Sequence, residues 1–152
     1  MNGRKYNDAP HCSHGGCHEG QDGGMRGNMI TFDDFLLEDT GPIYLQIIRY
    51  IKQRIASGTI DDHEEVPSRR ALSALLGVNP NTIQKAYHIL EEEGVINSRS
   101  GAKSYTCVNE ETVERIRQEL IESDTSGWVR AMKQLGMRKT EALDLVERIW
   151  SE

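Results

Sequence analysis

Five polar side chains follow Pro80 at spacings that place them on the polar side of a helix. They are Asn81, Thr82, Gln84, Lys85 and His88. Their amide, hydroxyl, ammonium and imidazole groups have the length and chemistry to contact base edges and phosphates in the major groove of duplex DNA. An ordinary amphipathic helix with a solvated face has the same pattern. The elements around this helix therefore have to decide between the two interpretations.

The helix that carries these side chains has a marked beginning and a marked end. Asn79 suits the N-cap, because its side-chain oxygen accepts from free N–H groups of the first turn, and Pro80 suits the first helical position. Gly94 stands where a left-handed residue would close the helix. One apolar face is predicted from the i, i+3, i+4, i+7 spacing of Ile83, Ala86, Tyr87 and Leu90.

A second, shorter helix is predicted directly before it. Ser68 is its N-cap after Pro67, the helix runs over Arg69–Leu76, and Gly77 ends it. A turn of three to four residues then joins the two helices, which is the spacing of a helix-turn-helix. The apolar positions expected in the shorter helix are Leu72, Leu75 and Leu76.

Two short β-prone runs follow Gly94, at residues 95–97 and 104–108. The turn between them contains Gly101, and such a pattern predicts a β-hairpin. A helix-turn-helix followed by a hairpin is a winged helix. The predicted fold is therefore mostly α with a small β-hairpin wing, and residues 30–108 form the predicted winged helix-turn-helix domain.

A longer amphipathic helix is predicted before this pair, opened by Gly41 and Pro42 and continuing to about Ser57. It is expected to be the first helix of the winged fold and to serve mostly as scaffold. The apolar stripe is Tyr44, Ile47, Ile48, Ile51 and Ile55, and the solvated side is Arg49, Lys52, Gln53 and Arg54.

Two connecting segments flank this helix. A lead-in over residues 30–39 has Phe32 and Phe35 as its expected anchors. The linker over residues 59–66 carries four carboxylates and His63. We interpret the linker as a solvated loop, with a metal site as the alternative.

Residues 109–152 are expected to form C-terminal helices for dimerisation. A helical period of apolar residues continues across Ser126 and Gly127, which predicts one long helix over 110–135, with two helices as the alternative. A last helix is expected from about Thr140. The region is close to the ~40-residue length below which a core does not stand alone. We favour a homodimer, since a two-fold axis also places two recognition helices about 34 Å apart.

Residues 1–29 are rich in Gly, His, Asn and Asp, and we predict a disordered tail. It contains residue types that bind soft or borderline metals, namely Cys12, His14, Cys17 and His18. Their spacing matches no structural zinc pattern, so no cofactor is predicted. Metal or thiol sensing by the tail, and a translation start at Met25 or Met29, are the alternatives to an inert tail.

The composition excludes several classes of protein. No apolar run approaches the roughly 20 residues of a membrane helix, and the N-terminus lacks the apolar core of a signal peptide, so we expect a cytoplasmic protein without membrane contact. The 3 cysteines do not suggest a disulfide scaffold. We find no phosphate loop, nucleophile elbow or paired carboxylates in a cleft-forming context, and we expect no enzyme activity.

The formal net charge of -6 argues against nucleic-acid binding, which usually requires a basic surface. The distribution of charge partly answers this objection, because the acidic residues are concentrated outside residues 66–108. The basic residues of that region fall on the predicted helix-turn-helix and wing, namely Arg69, Arg70, Lys85, Arg99 and Lys103. Binding would therefore be local and modest per subunit, so that dimerisation matters.

Five runs of sequence resemble the GntR superfamily of transcription regulators, and best its small YtrA-type branch. They read PIYLQI at 42–47, IASG at 55–58, VPSRRAL at 66–72, LGVNPNTIQKAY at 76–87 and LEEEGVI at 90–96. The resemblance covers residues 32–108 and, more loosely, the C-terminal helices. The chain departs from the family pattern in the acidic loop at 61–65, at Ala71 in place of an acidic residue, and in the wing.

Our leading hypothesis is a homodimeric repressor that binds double-stranded operator DNA, and the resemblance implies that the target operon encodes an ABC transporter. The resemblance also implies that Arg70 anchors the DNA backbone and reads bases, that Thr82 lies on the reading face, and that Gly101 enters the minor groove. A winged-helix protein-interaction module and a regulator that responds to metal or thiol chemistry are the alternatives. The predicted DNA-binding residues are Ser68, Arg69, Arg70, Asn79, Asn81, Thr82, Gln84, Lys85, His88, Ser100, Gly101 and Lys103.

Overall fold

The structure is a computed structural model that describes residues 28–99 and 103–152. Its elements are α1 (Ile43–Ala56), β1 (Glu65–Val66), α2 (Arg69–Leu76), α3 (Pro80–Glu92), β2 (Ile96–Arg99), β3 (Lys103–Thr106), α4 (Glu110–Gln134) and α5 (Lys139–Trp150). The predicted fold, mostly helical with a small hairpin, is confirmed. Two sets of predicted residues lie outside the described residues, namely Cys12, His14, Cys17 and His18 of the tail and Ser100 and Gly101 of the wing.

Side-chain caps fix the first turns of α2 and α3. The Ser68 hydroxyl accepts the Ala71 N–H at 3.1 Å, and the Asn79 side-chain oxygen accepts the Asn81 N–H at 2.8 Å. Gly77 follows α2 with φ 65°, in the left-handed region that glycine adopts without strain. The predicted bounds of α2 and the predicted start of α3 are confirmed, and the short turn between them gives the helix-turn-helix.

The sheet has the antiparallel strand order β1-β3-β2, so the predicted hairpin of β2 and β3 gains a third strand. The loop before β1 exposes Asp61, Asp62 and His63, as the prediction of a solvated loop requires, while Thr106 in β3 holds its backbone. The Thr106 hydroxyl donates to the Asp61 carbonyl at 2.7 Å and accepts the Glu64 N–H at 2.9 Å. Among the described residues, no group of three or more His, Cys, Asp or Glu is placed to hold a metal ion.

The core lies between α1, α3 and the start of α4. Its fully buried side chains include Ile47, Ile51 and Ile55 of α1, together with Leu72, Ile83, Leu90 and Ile116. Two predictions are wrong. Lys52 is buried, with 6% of its surface exposed, because carboxylates from two other helices surround its ammonium group. Leu75 is 60% exposed, because the short α2 turns only one side of its surface toward α3.

The lead-in packs on α1 through aromatic side chains, as predicted. The Phe32 ring stacks on the Tyr50 ring with centroids 5.0 Å apart, and Phe35 contacts both rings edge-on. Met29, which the sequence placed in the disordered tail, forms a β-bridge with Glu65. Met29 and the lead-in therefore belong to the winged domain.

A single helix, α4, continues across Ser126 and Gly127, which confirms the one-helix prediction. Its first half packs on α1 and buries Ile116. After Gly136, which has φ 77°, the helix α5 buries none of its residues. None of the helices in the described ranges is both long enough and apolar enough to cross a membrane.

Candidate nucleic-acid interface

The orientation of α3 is fixed by its buried face and by one hydrogen bond. The face is the predicted one, with Ile83, Ala86, Tyr87 and Leu90 all buried. The Tyr87 hydroxyl donates to the Pro67 carbonyl at 2.8 Å, in the residues that lead into α2. Burial raises the pKa of Tyr87, so this hydroxyl stays a donor at neutral pH. The start of α2 is therefore held beside the middle of α3.

A groove of about 380 Å³ lies where α3, the start of α2 and the wing meet. Gln84 and His88 line it from α3, Ser68 and Arg69 line it from α2, and Ser104 lines it from β3. The free N–H groups at a helix start and the positive end of the helix dipole both favour an anion there. The groove is therefore suited to a DNA phosphate with base edges beside it.

Arg69 and Arg70 are exposed at the start of α2, and neither forms an ion pair or a side-chain hydrogen bond within the described ranges. The cations of the scaffold behave differently. Arg49, Lys52 and Arg54 of α1 all pair with carboxylates. Among the described residues, the start of α2 thus offers two exposed guanidinium groups beside the groove, although the whole chain is acidic.

The predicted reading face divides into two parts. Asn81 is exposed on the outer side of α3, and Gln84 and His88 turn toward the groove. Lys85 follows Gln84 about 100° further around the helix. Its ammonium lies 3.9 Å from the centroid of the Tyr44 ring, at the start of α1. Asn81 thus lies between two contact regions, one at the groove and one at Tyr44.

Three predicted positions have internal roles as well. Thr82 is half-buried, and Asn79 caps α3. Lys103 in β3 pairs with Glu65 in β1 at 2.9 Å, and the hydrogen bond to Glu65 raises the pKa of Lys103. The acidic loop that departs from the family pattern therefore provides a partner for one of the predicted DNA contacts.

Two residues of the interface region were missed from the sequence. Glu91 lines the groove, and its carboxylate accepts a hydrogen bond from the Ser98 hydroxyl of β2. The spacing of Gln84, His88 and Glu91 along one side of α3 was a signal for this position. Tyr44 was assigned to the scaffold alone, and nothing in its spacing indicated the contact with Lys85.

The C-terminal end of α3 is attached to α4. The Lys52 ammonium lies 2.6 Å from the Glu93 carboxylate and 3.0 Å from that of Glu119 in α4. The Arg115 guanidinium of α4 donates to the Glu93 carbonyl at 3.0 Å. These contacts therefore fix the end of α3 relative to α4.

Residues 43–105 match the sequence profile described as "Bacterial regulatory proteins, gntR family". The chain is 32% identical over 111 residues to the uncharacterized HTH-type transcriptional regulator YhcF of Bacillus subtilis, covering 73% of this chain and 92% of that protein. It is 33% identical over 96 residues to the HTH-type transcriptional repressor YtrA of Bacillus subtilis, covering 57% and 74% of the two chains.

Solved structures show the same architecture. A GntR family transcriptional regulator from Listeria monocytogenes aligns with a TM-score of 0.64 and 32% identity, over 74% of this chain and 98% of that chain. A transcriptional regulator from Oenococcus oeni aligns with a TM-score of 0.58 and 26% identity, over 78% and 99% of the two chains. The likeness in both cases extends over nearly the whole length of the solved chain.

Proposed function

The chain belongs to the GntR family of bacterial regulatory proteins, in its YtrA-type branch, and it is a DNA-binding transcriptional regulator; from this premise we propose that it acts as a homodimeric repressor. The observation that carries the proposal is the groove, which Arg69 lines from the start of α2 and Gln84 and His88 line from α3. In this proposal the N-terminal half of α3 enters the major groove of each half-site.

Each predicted residue then has a distinct task. Arg70, Ser68 and the wing, with Ser100, Gly101 and Lys103, hold the DNA backbone and set the register of the protein on the duplex, as positioning contacts do. Amide side chains at the start of α3 read base edges, since Asn and Gln can bond adenine with two hydrogen bonds. Those side chains are Asn81 and Gln84, with Thr82, Lys85 and His88 beside them. The exposed N-terminal part of α3 supports this division.

The C-terminal helices support a homodimer over residues 109–152. Large apolar side chains are exposed along them, including Leu135 at 75%, Ile149 at 59% and Trp150 at 87%. Large exposed apolar surfaces on soluble proteins mark interaction sites, and these side chains supply such surface on both C-terminal helices. A second copy of the chain would cover this surface on both protomers and place two α3 helices on one face of the DNA.

The proposed target is an operon for an ABC transporter that includes the gene of the regulator itself. The membership in the YtrA-type branch supports this target, as does the 33% identity to a Bacillus subtilis protein named as a transcriptional repressor. A dimer bound to an operator that overlaps the promoter would repress transcription by excluding RNA polymerase.

Selection of bound duplexes from a random pool, followed by footprinting on the protein's own promoter, tests the function. We expect a two-fold symmetric site with half-sites about one helical turn apart. Affinity for it should fall steeply as salt is raised from 50 to 200 mM, because phosphate contacts release counterions. Absence of any selected site, with no protection of promoter fragments at low salt, would instead favour the protein-interaction module.

A further inference from the structure

The side chain of Lys85 rests on an aromatic ring instead of pairing with a carboxylate. Its Nζ atom lies 3.9 Å from the centroid of Tyr44. No ion pair involving Lys85 is formed within residues 28–99 and 103–152. The negative face of an aromatic ring attracts an ammonium group at this distance. The ring therefore holds the cation without neutralising its charge.

Tyr44 is well placed to act as a fixed support. It is the second residue of α1, it is half-buried, and it packs against the hydrophobic core. Lys85 is on an exposed part of α3, and a free lysine there has many side-chain conformations. Holding the ammonium before binding reduces the conformational entropy that is lost when the side chain is immobilised on a ligand.

We propose that Tyr44 is a positioning residue for DNA binding, whose ring holds the Lys85 ammonium ready for an operator phosphate. This inference rests on the proposed function, because it assigns a DNA contact to the second contact region of α3, which lies on the side away from the groove. A phosphate is the chemically suitable partner, since lysine binds as a compact point charge. Tyr44 acts only through Lys85 in this proposal, and its hydroxyl group is not required.

Four variants of the full chain test it on a selected operator: Tyr44→Phe, Tyr44→Leu, Lys85→Met, and Tyr44→Leu combined with Lys85→Met. Tyr44→Phe keeps the ring and should bind within twofold of wild type. Tyr44→Leu should weaken binding by about two- to fivefold, the range of an exposed cation–π contact. In the Lys85→Met background, Tyr44→Leu should have no further effect.

Salt dependence separates positioning from direct contact. Lys85→Met should reduce the slope of log K against log salt concentration by about one, because one phosphate contact is lost. Tyr44→Leu should lower affinity and leave that slope unchanged. Equal weakening by Tyr44→Leu in both Lys85 backgrounds would assign Tyr44 a merely structural role and overturn the proposal. Tighter binding by Tyr44→Leu would overturn it too, since the ring would then compete with DNA.

Proton NMR of the free protein tests the contact without DNA. The Lys85 methylene protons next to Nζ should show an upfield ring-current shift in wild type and in Tyr44→Phe, and the shift should vanish in Tyr44→Leu. Absence of that shift in wild type contradicts the inference even if Tyr44→Leu proves poorly folded. Failure of wild type to bind any operator would instead count against the proposed function.

Discussion

The Lys52 ammonium lies 2.6 Å from the Glu93 carboxylate, and this ion pair joins α1 to the end of α3. Glu119 brings α4 to the same cation at 3.0 Å. Only 8% of the Lys52 side chain is exposed, whereas Glu93 and Glu119 are exposed to 30% and 51%. One buried lysine thus sets the relative positions of the scaffold helix, the recognition helix and the helix proposed to form the dimer.

Lys52→Ala should destabilise the fold by about 2 kcal/mol, because removing one partner of a buried ion pair leaves the other charge uncompensated. Because the two carboxylates are partly solvated, this loss of stability is smaller than the loss expected for a fully buried ion pair. Urea denaturation followed by circular dichroism measures it. Glu119→Gln is the matched control, and the exposed carboxylate should contribute under about 1 kcal/mol. Equal effects of the two substitutions would contradict the central role of Lys52.

Ile149→Glu should convert the protein from dimer to monomer, since a carboxylate on the proposed interface has to be desolvated when two copies associate. Sedimentation equilibrium measures the change. Leu36→Glu is the control, because Leu36 is an apolar residue that is 81% exposed in the lead-in, far in sequence from α5. A monomeric wild type, or a dimer that persists in Ile149→Glu, would rule out the C-terminal helices as the interface.

Asp34→Asn should lower stability at neutral pH, with a difference that disappears in acid. The Tyr50 hydroxyl donates to the Asp34 carboxylate, and this bond is the main reason why the pKa of Asp34 is lowered, with Arg54 adding to it. A carboxyl with a lowered folded pKa contributes stability above its unfolded pKa, near 3.9. That contribution is lost as the pH falls through the folded value.

Urea denaturation of wild type and Asp34→Asn at pH 7 and at pH 3 measures this difference. The two proteins should differ at pH 7 and converge toward pH 3. A difference that stays constant between the two pH values would show that Asp34 acts by shape and not by charge.

Glu91→Gln should strengthen operator binding, by about twofold or more, since it removes a negative charge from the groove that faces the DNA. The amide still accepts a hydrogen bond from Ser98, so the local structure should persist. Fluorescence anisotropy at fixed salt measures the change. Glu114→Gln is a matched control, because Glu114 is an exposed carboxylate on α4. If Glu91→Gln left the affinity unchanged, the result would contradict the proposal that the groove faces the DNA.

Local signals made the helix-turn-helix predictable from the sequence. Ser68, Asn79 and Gly77 each begin or end a helix through contacts with residues a few positions away. A cap and the helix that it begins or ends can therefore be recognised together in one short stretch of sequence. The apolar period of α3 and of α4 likewise depends on spacing alone. These elements were therefore predicted with nearly correct bounds.

Contacts between distant segments were not predictable in the same way. The partner of Lys52 on α4 lies 67 residues away, and helical period alone placed Lys52 on the solvated side of α1. The strand β1 has two residues, Glu65 and Val66, and so has no period to recognise. The contact of Lys85 with Tyr44 depends on how α3 packs against α1, which no single-segment pattern contains.

Arg70→Ala tests most directly whether the start of α2 and α3 form the DNA-binding surface. Fluorescence anisotropy at one fixed salt concentration measures affinity for the selected operator in wild type, Arg70→Ala and Arg117→Ala. Arg117→Ala is the control, because Arg117 is an exposed arginine of α4. We predict a loss of about 1–3 kcal/mol for Arg70→Ala and wild-type affinity for Arg117→Ala. Operator binding that Arg70→Ala leaves unchanged would contradict the assignment of this surface to DNA.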